Sequence, residues 1–94
     1  MARSDRDSPQ NRQWWRHHAY VEPPDLLQAF PEAARINPKG RRRRWRDQRG
    51  MIYEWDSRHG AVEVYDSLGR HLGEYDHVSG KRLKQADPAR RIEP

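Results

Sequence analysis

The sequence predicts an α+β, mainly β domain: a single, highly twisted antiparallel sheet with a short N-terminal helical segment. Three observations carry this expectation. Apolar and polar residues alternate from Met51 to Asp56 with period two, as in a half-buried strand. Turn-forming residues recur after it at regular spacing, at Ser57-Arg58-His59-Gly60, Gly69, Ser79-Gly80 and Asp87-Pro88, as in successive hairpins. Only 33% of the 94 residues are hydrophobic, too few for two packed sheets, so one twisted sheet covered by an N-terminal segment is the economical arrangement.

Taken in order, Met1 to Arg12 is polar and without apolar periodicity, and reads as a disordered N-terminal segment (1–12). Residues 13–39 read as a helical lid or linker. Trp14, Trp15 and Tyr20, with His17 and His18 between them, are expected to dock on the domain or on a partner. Pro23-Pro24-Asp25 opens a short helix through Leu26, Leu27, Ala29 and Phe30, because proline and an acid suit a first turn. Pro31 interrupts it and Pro38-Lys39-Gly40 ends it. Residues 40–94 form the β domain, with strands expected at Met51–Asp56, Ala61–Asp66, Arg70–Tyr75, Lys81–Gln85 and Ala89–Glu93. A four-residue turn sets Asp56 opposite Ala61 and Glu54 opposite Glu63. Met51, Tyr53, Trp55, Val62 and Val64 then share a core face, while Glu54, Asp56 and Glu63 share the other, with His59 at the turn.

Charge narrows the partners. Lys and Arg number 19 against 14 Asp and Glu, a formal net charge of +5. Arg41, Arg42, Arg43, Arg44, Arg46 and Arg49 crowd around one acid, Asp47. Such a block suits phosphate, because the guanidinium is a planar, permanently charged fork; the bland alternative is a solvated basic tether. Trp45 inside the run favours a segment pinned to the domain. The absence of cysteine excludes a disulfide framework, a thiolate zinc site and a cysteine nucleophile. No apolar run approaches the ~18 residues of a membrane span, so no stable membrane association is expected.

Clustered carboxylates on neighbouring strands repel one another unless arginines compensate, a cost that function explains more readily than stability does. Asp56, His59 and Glu63 hold what general acid–base chemistry needs: a proton acceptor, an imidazole working near neutral pH, and a carboxylate to fix its tautomer. No defensible Ser-His-Asp set is present, and so small a chain leaves little room for a sugar cleft. His59 and Glu63 at i,i+4 would converge on a metal only from a helix, whereas this segment reads as a hairpin; no metal or other cofactor is expected. Ordinary surface salt bridges are the bland alternative. Beside a basic surface, the coherent reaction is metal-independent cleavage of RNA, whose ribose 2′-hydroxyl is a built-in nucleophile. The rival class is a non-catalytic basic RNA-binding or ribosome-associated module, in which the same residues are salt-bridge partners. His17, His18, His71 and His77 read as surface or packing histidines, His71 the least clearly so.

Arg42-Arg43-Arg44-Trp45, Ile52-Tyr53-Glu54-Trp55-Asp56-Ser57-Arg58-His59-Gly60, Glu63, His71-Leu72-Gly73, Leu83-Lys84 and Asp87-Pro88-Ala89-Arg90-Arg91-Ile92 resemble the cytotoxic ribonuclease domain of cloacin and the ribosome-targeting colicins, over about residues 40–93. This resemblance implies a small twisted antiparallel sheet and a single cut in small-subunit (16S) ribosomal RNA at the decoding centre. It places the catalytic residues on Asp56, His59, Glu63 and Arg90. Glu63 would be the base on the 2′-hydroxyl, His59 the acid or electrostatic partner, Asp56 its orienting partner and Arg90 the stabiliser of phosphorane charge, although the glutamate and histidine roles are exchangeable on the sequence. Arg41, Arg42, Arg43, Arg44, Arg46, Arg58, Lys84 and Arg91 are the expected RNA contacts. The implied partners are the ribosome and an acidic immunity protein acting as inhibitor. The implied setting is a toxin delivered from a producing bacterium into the cytoplasm of a target cell. Arg58 stands where the family usually has an amide, adding positive charge beside His59, and the chain ends at Glu93-Pro94 without the family's basic tail.

Overall fold

The computed structural model describes residues 20–94. The expected disorder of Met1–Arg12 and the docking of Trp14 and Trp15 lie outside the described residues. Six strands form one antiparallel sheet in chain order: β1 (Ala34–Ile36), β2 (Arg44–Arg46), β3 (Ile52–Asp56), β4 (Ala61–Tyr65), β5 (His71–Tyr75) and β6 (Arg82–Lys84). The register across the central hairpin is the expected one, with Asp56 opposite Ala61 and Glu54 opposite Glu63.

The hairpins share one turn chemistry. Asp47, Asp56, Asp66 and Asp76 each open a turn, and Gly50, Gly60, Gly69 and Gly80 close them at positive φ. Each aspartate accepts twice: its carbonyl takes the amide of the closing glycine, and its carboxylate takes amides inside the turn, such as Leu68 and Arg70 on Asp66 or Val78 and Ser79 on Asp76. An Asp side chain that mimics a backbone acceptor is the usual device of such turns. The bonds hold all four carboxyls below the usual aspartate range. At Asp66 and Asp76 the amides of Arg70 and Ser79 are the largest cause, whereas at Asp47 and Asp56 burial pushes upward and the hydrogen bonds outweigh it.

A sign follows for stability. Because the folded values lie below the unfolded aspartate value of about 3.9, these groups contribute stability above that pH and lose it as pH falls through their depressed values. Urea midpoints followed by tryptophan fluorescence are therefore expected to fall steadily below about pH 4. Asp47→Asn is expected to lower the plateau and flatten the acid limb. An unchanged acid limb in that variant would refute the role of the turn carboxyls.

The core lies on one face, where Tyr53, Trp55, Val62 and Val64 pack with Trp45 beneath Leu27 and Ala33, with Phe30 and Met51 at its margin. The indole N–H groups need partners when buried, and they clamp the covering segment: Trp45 Nε1 donates to the Asp25 carbonyl at 3.0 Å and Trp55 Nε1 to the Val21 carbonyl at 2.7 Å. Phe30 stacks at 4.9 Å from Tyr53.

The cover is not the expected helix. Among the described residues there is none, and Pro23–Phe30 is a chain of bends and turns. Its amides are spent elsewhere: Ala29 N–H goes to the His77 carbonyl, and Phe30 N–H reaches back only three residues to Leu27. Six residues between prolines are too few to repay helix nucleation, and the prolines lack the N–H that would extend it. Within 13–39, expected as a helical lid or linker, Ala34–Ile36 instead forms an edge strand, β1, paired to β2. At the other end, the expected strand Ala89–Glu93 reduces to one bridge between Arg70 and Arg91.

Candidate active site

The second sheet face carries a line of charges. Register pairs Arg44 with Glu54, Glu54 with Glu63, Glu63 with Glu74 and Glu74 with Lys84, so three glutamates stand side by side on adjacent strands with a cation at each end of the row. Neighbours in such a row are separated by about 5 Å, close enough to repel strongly if left bare. Each carboxylate is answered. Arg44 donates Nε and Nη2 to Glu54 Oε2 at 3.2 and 2.7 Å. Lys84 Nζ lies 3.6 Å from Glu74.

Glu63 is held from two sides. His71 Nε2 is 2.7 Å from Oε1, and Arg90 Nη1 is 3.4 Å from Oε2. The tautomer of His71 follows from its other nitrogen: the Asp87 amide donates to Nδ1 at 2.9 Å, so the ring proton sits on Nε2 and points at Glu63. His71 also donates its own amide to the Arg90 carbonyl. One side chain thus seats the central glutamate and the segment bearing Arg90. The Tyr65 hydroxyl is buried beside them without a hydrogen-bond partner among the described residues, and Arg90 Cζ lies 5.9 Å from its ring centroid.

His59 is the exposed counterpart. It rides the turn after β3, half exposed, with Nδ1 2.7 Å from Asp56 Oδ2 and 3.2 Å from Glu74 Oε2. The second oxygen of Asp56 takes the Arg58 amide, so this carboxylate braces the turn and the ring together. With Nδ1 engaged, Nε2 is the nitrogen left to a substrate. Asp56, His59 and Glu74 also form the group among the described residues that could hold a metal ion, their ligand atoms lying within 4.8 Å of one another. A cation there would take the place of the proton that Nδ1 shares with the two carboxyls.

The structure brings Asp56, His59, Glu63 and Arg90 onto this face. Two further residues stand with them: Glu74, against His59, and His71, a buried histidine against Glu63. Of the expected RNA contacts, Arg41, Arg42, Arg46, Arg58, Lys84 and Arg91 are exposed, and Arg43 is half-buried. Arg44 is a correction: at 2% exposure, with its guanidinium on Glu54 and on the Glu93 carbonyl, it has no surface to offer a phosphate. Arg41, Arg42 and Arg43 join Arg35 around an open cleft of about 540 Å³ that reaches Tyr20, Trp55 and Ser57.

The fold and the site define a class, a small basic β-meander with a histidine and a glutamate braced on one polar face. Comparison with known sequences narrows it: the chain belongs to the family described as Cytotoxic, whose model matches residues 21–93. The match reaches back beyond the block at 40–93 that carries the resemblance. The chain is 46% identical to colicin E3 of Escherichia coli over 70 residues, 72% of this chain and 13% of that protein. Over the same length it is 43% identical to cloacin and 41% to colicin-E6, both of Escherichia coli, covering 72% of this chain and 12% and 13% of theirs. It therefore spans only about an eighth of these relatives.

Proposed function

We propose that this chain is the effector domain of a bacterial toxin, an endoribonuclease that makes one cut in 16S ribosomal RNA at the decoding centre of the small subunit and so stops translation. Family membership supports the class. The single observation that carries the chemistry is the pairing of a histidine whose Nδ1 is engaged with a seated glutamate on the same face.

Glu63 Oε1 is occupied by His71, so Oε2, loosely approached by Arg90, takes the proton from the ribose 2′-hydroxyl. The 2′-oxygen then attacks the adjacent phosphorus. His59 Nε2 delivers a proton to the departing 5′-oxygen, while Asp56 keeps the imidazolium oriented. Arg90 neutralises the charge that gathers on the phosphorane. The products are a 2′,3′-cyclic phosphate and a free 5′-hydroxyl. The exposed arginines and Lys84 hold the RNA backbone, and the fold of the ribosomal RNA supplies the specificity that so small a surface lacks. An acidic immunity protein covering the arginine surface in the producing cell completes the reading, with release from that cell and action in the cytoplasm of the target.

The test uses intact ribosomes in EDTA. One small-subunit RNA fragment bearing a cyclic phosphate is expected from the wild-type domain and none from His59→Ala. A ribosomal RNA left whole by the wild type would overturn the catalytic reading in favour of a binding module.

A further inference from the structure

Glu74 has no part in the mechanism above, yet it is 2% exposed near the end of β5, and a carboxyl is costly to bury unless it is paired. Its Oε2 lies 3.2 Å from His59 Nδ1 and its Oε1 3.6 Å from Lys84 Nζ. Asp56 Oδ2 is on the same Nδ1 at 2.7 Å, and the ligand atoms of Asp56, His59 and Glu74 all lie within 4.8 Å of one another.

The two carboxyls are not equivalent. Asp56 precedes His59 by three residues and braces the very turn that carries it, so it follows any motion of that turn. Glu74 sits on the sheet floor, two strands away from Asp56, and is the register partner of Glu63. Of the two carboxyls, Glu74 is the one that ties the imidazole to β5, on the far side of Glu63 from Asp56.

We propose that Glu74 is a positioning residue for His59: it shares the Nδ1 proton with Asp56 from the sheet side and thereby fixes the separation between His59 and Glu63. The inference rests on the acid role given to His59 above. Proton transfer at both ends of one ribose–phosphate unit tolerates little error in that separation, since misplacement by about 1 Å can cost on the order of 10²-fold in rate.

Glu74→Ala and Glu74→Gln separate this from a merely structural role. In the free domain, 15N NMR of the His59 ring is expected to show one tautomer, with Nδ1 protonated, in the wild type and a mixture of both in Glu74→Ala. In single-turnover cleavage of ribosomes, Glu74→Ala is expected to lose about 10- to 100-fold in maximal rate with half-saturation unchanged, and Glu74→Gln, which keeps a carbonyl acceptor, to recover most of it. Glu74→Met, apolar and of similar length, replaces the alanine variant if that fails to fold. Wild-type ring signals and wild-type rate in the folded variant would overturn the proposal while leaving His59 and Glu63 in their roles. A wild-type domain that leaves ribosomes intact would overturn the ribonuclease reading instead, and the ring tautomer would still decide the contact with Glu74.

Discussion

Replacing Glu63 by glutamine is expected to slow ribosomal RNA cleavage by about 10²- to 10⁴-fold, the range typical of losing a general base. Glutamine is the informative choice. Its carbonyl still accepts the His71 Nε2 proton at the Oε1 position, so the sheet floor stays satisfied, whereas alanine would strand a buried N–H. What glutamine cannot do is take a proton at the Oε2 position, where its amide faces the Arg90 guanidinium donor to donor. Single-turnover rates, with circular dichroism as the check on folding, decide it. A folded variant that cleaves at the wild-type rate would remove Glu63 from the chemistry and leave the base to be found elsewhere on the face.

The largest effect on stability is expected at Arg44. Arg44→Ala leaves Glu54 without its buried cation and frees the Glu93 carbonyl, and breaking a buried pair from one side costs about 3–5 kcal/mol. For a domain this small that is a large share of the total. Removing both charges together, as Arg44→Met with Glu54→Leu, is expected to restore most of the loss, because the desolvation of each charge is no longer spent. Urea denaturation measures both. The opposite pattern, normal stability in Arg44→Ala but a shallower salt dependence of RNA binding, would return Arg44 to the phosphate contacts.

The central hairpin was legible because its turn is explicit: Ser57-Arg58-His59-Gly60 fixes which residues oppose one another, and period two then sorts Tyr53 and Trp55 from Glu54 and Asp56. The same counting fails one strand later. A bulge shifts the pairing between Val64 and Tyr65, so Val64 faces Gly73 while Tyr65 faces His71. His71 and Glu74, an odd number of residues apart, therefore both reach the Glu63 side. Gly73 makes this possible at φ 145, where an added Cβ would stand 2.7 Å from the Lys84 carbonyl oxygen. No alternation in the sequence announces such a shift. β1 escaped notice for another reason: three residues, two of them exposed, carry no pattern to read. Arg44 looks like its neighbours in the basic run, because its place beside Glu54 is a matter of register between strands.

Every strand of the sheet pairs only with those next to it in the chain. Assembly of the meander thus requires closing only short loops, and a low contact order of this kind predicts fast refolding for a β protein. Within it the groups proposed for catalysis are expected to be placed at different moments. Asp56, His59 and Glu63 arrive together with a single hairpin, whereas Arg90 comes from the far end of the chain and is seated only when Asp87 reaches His71 and Arg91 bridges Arg70. On the proposed mechanism the proton-transfer pair is a local product of folding and the guanidinium of Arg90 a late one, so partial detachment of the last residues is expected to leave a folded sheet that binds RNA but cuts it slowly.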